Sequence, residues 1–588
     1  MIARRRSQGS TALVPSSSAV LFVVVGFLLG MIALSHAERV YDEVVFDAKT
    51  CDELNRNNFW NKQSYTEYFD VCGVMEFCED PDAVLPERNS RRLNHVNNDQ
   101  YPPRAEATWE ADENFAKEAE LAEHHNDEHH SDRNYHSSTA RFGWKVPNAE
   151  KCLRPGPILR LERGLKHGLF VKGSGGNSTN LHFHGLHTAG HGNGDDILRK
   201  LQGNDTIIYE IDLPADKHMG GTHWYHSHLY HEAWDQILGG AYGMMIINDG
   251  DHNVGTTDKG VLKFLQNERL LVVDDTDGTW VANGKENGLE EYVVRRNEWF
   301  RLRILMVSGD GHSSGGHVRI ADGCEARSIA HDGILRTVVP KAVAEDRFPM
   351  TSSSRLDLAV KCKSNAKVTI YGRHVAEFKV KHDGDRRDLG EEEEHRDRKD
   401  TPSPYEKGGK LWNSYRPPYL TDLRNEEVDN TWDIYIKGRT LNELAYNASK
   451  PLCNEDGSDF QYGSIQEWEL HNTVKHPLHV HMYPMQVVTD YCGDGHDRGE
   501  FYDTIVSDTS RRNSHYPCKV RMRMIDISGP VLVHCHILFH AERGAQGWIN
   551  VVTDDPSVVQ PDYPRVHECQ DGTDTCDPAR TFPKCSDF

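Results

Sequence analysis

Four short histidine clusters carry most of the chemistry available to this sequence. They are His182-Phe183-His184, His223-Trp224-Tyr225-His226-Ser227-His228, His476-Pro477-Leu478-His479-Val480-His481 and His534-Cys535-His536-Ile537-Leu538-Phe539-His540. On an extended strand, residues i and i+2 face the same side. Each His-x-His pair therefore offers two imidazoles to one place, and the four pairs offer eight. Imidazole binds copper, zinc and iron, and copper stands highest in the divalent affinity order. Structural zinc takes four ligands, usually with several closely spaced cysteines, which this pattern lacks. The fourth cluster adds a thiolate. His534 and His536 share one face of their strand and Cys535 takes the other. A thiolate with two histidines is the ligand set of a blue-copper electron-transfer centre, and His476 and His540 remain to complete it. One short strand would then join a thiolate site to an imidazole site through a few covalent bonds, which is a path for single electrons.

Such side chains need strands to hold them, and the sequence is rich in strand signals. From about residue 141, short apolar runs are separated by Gly, Pro, Asn and Asp. The first group comprises ILRLERG (158–164), GLFVKG (168–173), NLHFHGLH (180–187) and IIYEIDL (207–213). A second comprises LLVVDD (270–275), WFRLRILMV (299–307), LDLAVKC (356–362) and KVTIYG (367–372), and a third runs from WDIYIKG to VLVHCHILFH. Helical periodicity is scarce. This spacing predicts an all-β chain of three consecutive β-sandwich domains, at 141–255, 256–382 and 426–560. Residues 383–425, which include GEEEEHRDRKD, read as a charged, solvent-exposed linker or insert. Residues 38–140 read as an irregular N-terminal extension that ends in a His-rich linker, EHHNDEHHSDRNYH. Residues 561–588 read as a cysteine-containing tail.

The bulk properties narrow the function. The formal net charge of −23 excludes a nucleic-acid partner, whose phosphates would be repelled. Arg4, Arg5 and Arg6 precede an apolar run from Ala19 to Leu34 and then Ser35-His36-Ala37. This is the order of a secretory signal peptide, 1–37, cut after Ala37. The run falls short of the roughly 20 residues that a spanning helix needs. A secreted, extracellular protein with no stable membrane span is therefore expected; the alternative is a signal anchor with the domains on the exoplasmic side. Thirteen cysteines leave one without a disulfide partner in an oxidising compartment. Sequons at Asn177, Asn204 and Asn447 fit a glycoprotein.

With these residues in view, the four clusters resemble the copper-binding motifs of the multicopper oxidase family, which includes laccases, ferroxidases and bilirubin oxidases. The resemblance covers roughly residues 141–560. It implies three cupredoxin-like Greek-key domains and four coppers per chain, with a trinuclear cluster between the first and third domains. By that resemblance His182 and His479 are ligands of a type 2 copper. His184, His226, His228, His481, His534 and His536 are ligands of a type 3 pair. Cys535, His476 and His540 are ligands of a type 1 copper. Cys535 is then the odd cysteine, and Cys492 with Cys518 is a candidate disulfide among the remaining twelve. His187 and His223 fall outside the pattern.

The implied activity is one-electron oxidation of a small reducing substrate, a phenol or aromatic amine as in laccases, coupled to four-electron reduction of O2 to water. Fe2+ or Mn2+ oxidation is the alternative within the family. A copper nitrite reductase needs only a mononuclear type 2 site, and a copper carrier has no use for a cysteine between two histidine ligands, so both are remoter. Oxygen reduction consumes protons, and relatives carry an acid about ten residues after the first motif. Asp195, followed by Asp196, answers to it here. The matching position near the fourth motif holds no acid, and Glu542 is the nearest. Relatives also carry Met, Leu or Phe ten residues after the motif cysteine. This chain has Ala545 there, which predicts a three-ligand type 1 site unless Gln546 or a water fills the gap. Phe183 stands where Trp is common, and Met482-Tyr483-Pro484-Met485 where Gly-His-x-Phe is common; neither change removes a ligand.

Overall fold

The strands form where side chains alternate between core and solvent. Glu290–Arg295 alternates without a break, with Tyr292 and Val294 buried and Glu291, Val293 and Arg295 exposed. Asn430–Lys437 does the same with Trp432, Ile434 and Ile436 inside. Trp299–Val307 is buried along its whole length, as befits a central strand covered on both faces. The computed structural model describes residues 42–56, 69–80 and 141–588, except 174–175, 250–252, 276–279, 309–315, 344–346, 382–400, 472, 474–475, 491, 494, 508–517, 556–557 and 559–582. The signal segment, the His-rich tract at 123–136, the acidic run of the insert, and Cys569 with Cys576 lie outside the described residues.

Six of the sheets form three sandwiches, as expected for cupredoxin domains. The first pairs a five-stranded sheet, which ends in Tyr242–Asn248, Gly221–His226 and His182–His184, with a four-stranded one. Trp144, Leu161, Val171, Tyr209 and Met245 fill the space between them. The second packs seven strands against five around Phe300, Leu358 and Phe378. The third packs six against five around Trp432, Trp468 and Val533. A further apolar cluster takes Met219 from the first domain, Trp299 and Ile329 from the second, and Phe501 from the third. It ties the three sandwiches together.

Two expected boundaries need correction. Val71–Asp80 is not part of an extension but a strand of the first sandwich, paired in parallel with Lys166–Lys172 and antiparallel to Arg141–Lys145. Disulfides Cys51–Cys72 and Cys78–Cys152 fasten it. VCGVMEFCED lacks the two-residue alternation of a half-buried strand, because most of its side chains are covered, and its signal is correspondingly weak. Likewise residues 401–425 are not a solvent-exposed linker. Trp412, Tyr419, Leu420 and Leu423 are buried, and Trp412–Asn413 pairs with Val338–Val339. At the other end, Cys585 is tied to Cys453 of the third sandwich. Cys492–Cys518 forms as expected, Cys324–Cys362 clasps the second domain, and Cys535 remains a buried free thiol.

Candidate metal centre

Strand register brings the histidines together. In the first domain His182–His184 runs antiparallel to Gly221–His226, placing His182 opposite His226 and His184 opposite Trp224. In the third, Leu478–Val480 runs antiparallel to Gly529–Cys535, placing His479 opposite His534 and Leu478 opposite Cys535. The two faces then meet. His184 stacks on His479 with ring centroids 3.7 Å apart, and His182 stacks on His481 at 3.6 Å. All eight rings, of His182, His184, His226, His228, His479, His481, His534 and His536, are buried. The ligand atoms of His182, His184 and His226 lie within 4.8 Å of one another, as do those of His182, His479 and His481, and of His228, His481 and His534.

One nitrogen of most rings is held by a protein partner and the other points inward. His226 Nδ1–H donates to the Ser227 carbonyl (2.8 Å), His479 Nδ1–H to the Asp503 carbonyl (2.8 Å) and His534 Nδ1–H to the Cys535 carbonyl (3.0 Å). His536 Nδ1 meets the Ser353 hydroxyl. His182 Nδ1 lies 2.7 Å from Asp195 Oδ2, and His481 Nδ1 lies 3.3 Å from the same oxygen. His184 is reversed: its Nε2 meets Asp503 Oδ1 at 3.3 Å, leaving Nδ1 inward. The inward atoms His184 Nδ1, His226 Nε2 and His536 Nε2 are buried without a hydrogen-bond partner. Inward Nε2 atoms of His182 and His479 face each other at 3.4 Å, and that of His534 faces those of His228 and His481 at 3.3 Å. Burial, reinforced by neighbouring rings, holds His182, His184, His226, His479, His481 and His536 well below the ordinary pKa of 6.5. Neutral rings with converging lone pairs could hold a metal ion. The donor set fits copper.

Cys535 faces the other way, as the alternation requires. Its sulfur lies 3.5 Å from His476 Nδ1 and 3.7 Å from His540 Nδ1, and it accepts the Ile537 N–H at 3.5 Å. Burial pushes the Cys535 thiol up to about 12. His476 is buried, whereas His540 is half-buried at the edge. Ala545 is fully buried, and its backbone frames the site: its carbonyl accepts the Cys535 N–H and its N–H donates to the His540 carbonyl, both at 2.9 Å. Gln546 does not fill the gap beside Ala545. It lies opposite His534 and lines a small cavity on the cluster side, with His226, His228, His534, Leu538 and Glu542.

The two candidate acids are both at the cluster. Asp195 also accepts the Phe183 N–H at 2.8 Å, and so links His182 of the first domain to His481 of the third. Burial raises its carboxyl well above the usual carboxylate range. Glu542 accepts the N–H groups of His231 (2.5 Å) and Trp234 (3.3 Å). Burial pushes it up to about 7. His223 lies on the strand face opposite His226, and His187 stacks on Tyr419 at 3.9 Å, so neither joins the cluster.

Residues 152–252 and 415–555 each match the multicopper oxidase family. The chain thus resembles multicopper oxidases in two stretches, one in the first sandwich and one in the third. Proteins of that family are copper-dependent oxidoreductases that use O2. It is 21% identical over 416 residues to a multicopper oxidase of Staphylococcus haemolyticus, covering 67% of this chain and 82% of that protein. It is 27% identical over 169 residues to copper resistance protein A of Escherichia coli, covering 26% of this chain and 27% of that one. Among solved structures, a laccase of Pediococcus acidilactici matches with a TM-score of 0.52 and 19% identity, covering 70% of this chain and 86% of that one. A multicopper oxidase of Campylobacter jejuni, described as a metallo-oxidase, matches with 0.51 and 18%, covering 70% and 87%. At these identities the structural likeness speaks for the fold.

Around the cluster, several residues carry no motif signal. Arg355 of the second domain is buried, hydrogen-bonds Asp503 (Nη1 to Oδ1, 3.0 Å), and stands by Asp332. Asp503 in turn meets His184, while Asp332 accepts the Asp503 and Thr504 N–H groups at 3.3 and 3.4 Å. Burial pushes the Asp503 carboxyl up against the pull of Arg355. Ser353, also from the second domain, holds His536. Gly185 makes this crowding possible. It has φ +87°, and a Cβ there would lie 2.3 Å from Arg355 Nη2 and 2.6 Å from Asp503 Oδ2. Trp224, by contrast, was visible within the second motif; its ring packs 4.2 Å from His226 and walls the cluster.

Proposed function

We propose that this oxidase holds four coppers and couples one-electron oxidation of a phenolic or aromatic-amine donor to four-electron reduction of O2 to water. His476, Cys535 and His540 would hold the type 1 copper. His182 and His479 would hold the type 2 copper, and His184, His226, His228, His481, His534 and His536 the type 3 pair. Bound copper supplies reversible one-electron storage at Cys535 and multi-electron reduction of O2 at the imidazole cluster. The protein's part follows from its own residues. The peptide from Cys535 to His534 and His536 connects the two places covalently. Partners on the far ring nitrogens fix tautomer and orientation, so that the rings need not reorganise. Asp195 and Glu542 are the acids placed to hold or move protons, Asp195 between two cluster rings and Glu542 across a small cavity from three others.

The observation that carries this reading is the pairing of His479 with His534 beside Leu478 with Cys535, which turns two histidines to one side and the thiol to the other. Copper analysis, visible spectroscopy and oxygen uptake test it together. About four coppers per chain, a blue absorption band and O2 consumption are expected; one copper, or no band, overturns it. Parallel rates with a phenol and with Fe2+ separate the laccase-like reading from the metallo-oxidase alternative, and a faster Fe2+ reaction favours the latter. We also propose that the oxidase is exported. Five disulfides among the described residues and three exposed sequon asparagines, Asn177, Asn204 and Asn447, support this.

A further inference from the structure

We propose that Ser353 of the second domain is a positioning residue for the imidazole cluster, fixing His536 in the tautomer that leaves its Nε2 lone pair free for a metal. This rests on the reading of His536 as a copper ligand. The second domain contributes no ring to the cluster, yet the Ser353 hydroxyl reaches His536 Nδ1. Which of the two holds the proton is decided further back, along a row of buried serines. The Ser308 carbonyl can only accept, so the Ser352 hydroxyl donates to it, at 3.1 Å. Ser352 Oγ, 3.5 Å from Ser353 Oγ, is then the acceptor left for the Ser353 proton. Ser353 Oγ turns a lone pair to the ring, and His536 Nδ1 must carry the hydrogen. The other nitrogen, Nε2, is buried without a hydrogen-bond partner and points inward. A carbonyl two serines away thereby sets which imidazole nitrogen faces the metal position.

The backbone at Ser353 is held in a conformation unfavourable for serine. Its φ is +72°, in the left-handed region where Gly and Asn are the usual residues. It stands in a turn closed by the Ser354 N–H on the Thr351 carbonyl (3.3 Å). The Ser353 N–H donates to the Met306 carbonyl (2.8 Å), and the Ser353 carbonyl accepts from Arg355 Nη1 (2.9 Å). Glycine would make both backbone contacts without strain, so the hydroxyl is what serine adds here. The turn leads directly into Arg355 and Asp357. Arg355 Nη1 also meets Asp503, the partner of His184, and Asp357 accepts the Thr222 hydroxyl (2.7 Å) on the strand that carries His226. One turn, with the strand it opens, thus reaches three of the four histidine motifs from a domain that supplies no ligand.

The test uses full-length, copper-loaded protein and follows copper loss to a chelator, with the blue band of the Cys535 site as an internal reference. Ser353→Ala keeps the strained backbone and removes the hydroxyl; Ser353→Gly removes both. Each should release cluster copper about tenfold faster than the unmodified protein, while the blue band decays at its usual rate. The metal-free forms should separate the two variants, with Ser353→Gly melting about 2 °C above Ser353→Ala. Ser352→Ala takes away only the acceptor behind Ser353 and should speed release by about threefold. Fast release from Ser353→Ala with ordinary release from Ser353→Gly would show that copper retention follows backbone strain, and the proposal fails. Ordinary release from both overturns it as well, and leaves the four-copper reading standing. An unmodified protein that holds no copper beyond the Cys535 site overturns that reading and the proposal with it.

Discussion

The eight-ring cluster and the Cys535 site share one strand, yet they are built on different principles. His476, Cys535, His540 and Ala545 all come from the third sandwich, and one of the two rings reaches the edge. The cluster draws four rings from the first domain and four from the third, all buried, with Ser353, Arg355 and Asp332 of the second holding them from outside. In the proposed reading, electron entry is thus a local device of one domain. Oxygen reduction, in the proposed reading, is a property of the assembled chain. Removing a residue should therefore have opposite consequences at the two sites, according to which domain it comes from.

The largest effect is expected from Cys535→Ser. It should abolish the blue band and lower turnover by about a thousandfold or more, while most cluster copper is retained. Loss of all copper on metal analysis would mean that the two sites do not load independently. Arg355→Leu should do the reverse. It leaves the Asp332 and Asp503 carboxylates buried without their cation, a loss of about 3–5 kcal/mol. Thermal unfolding should show that loss, and the blue band should outlast the cluster signal; a cluster that survives intact would show that the second domain is dispensable to it. Asp195→Asn keeps the shape but weakens the grip on His182 and His481. Cluster copper affinity or O2 turnover should fall about 10–100-fold with the blue band unchanged. The smallest change is Ala545→Met. Added thioether density at the Cys535 site should lower its potential by on the order of 60 mV, tenfold in a one-electron equilibrium. An unchanged potential and spectrum would show that residue 545 does not face the metal position.

Much of this centre is legible in the chain because strand alternation is local. His182 with His184, or His534 with Cys535 and His536, announce their facing directions through spacing alone. What spacing cannot convey is which strands pair and what lies beyond them. Asp503 sits in an ordinary-looking FYDTIV, and Arg355 opens one of many apolar strands. Their roles arise from contacts across domains, more than a hundred residues apart in sequence. The strand at Val71–Asp80 escapes notice because full burial removes its alternation. Residues 401–425 mislead for the opposite reason, since a charged, proline-containing stretch conceals the buried Trp412 and Tyr419. Ala545 is plain in the sequence, but only the fold shows that Gln546 turns to the other side.

The division of the eight rings between the first and third domains also has a consequence in time. The first domain leaves the ribosome and can fold long before His476 is made. Until then the four imidazoles of the first domain lack the four rings of the third that pack against them in the complete chain. The third domain closes over the rings of the first, and stacking of His184 on His479 and of His182 on His481 marks the moment of closure. In the proposed reading, a complete copper cluster can therefore form only at the seam between the first and third domains, after most of the chain has been made.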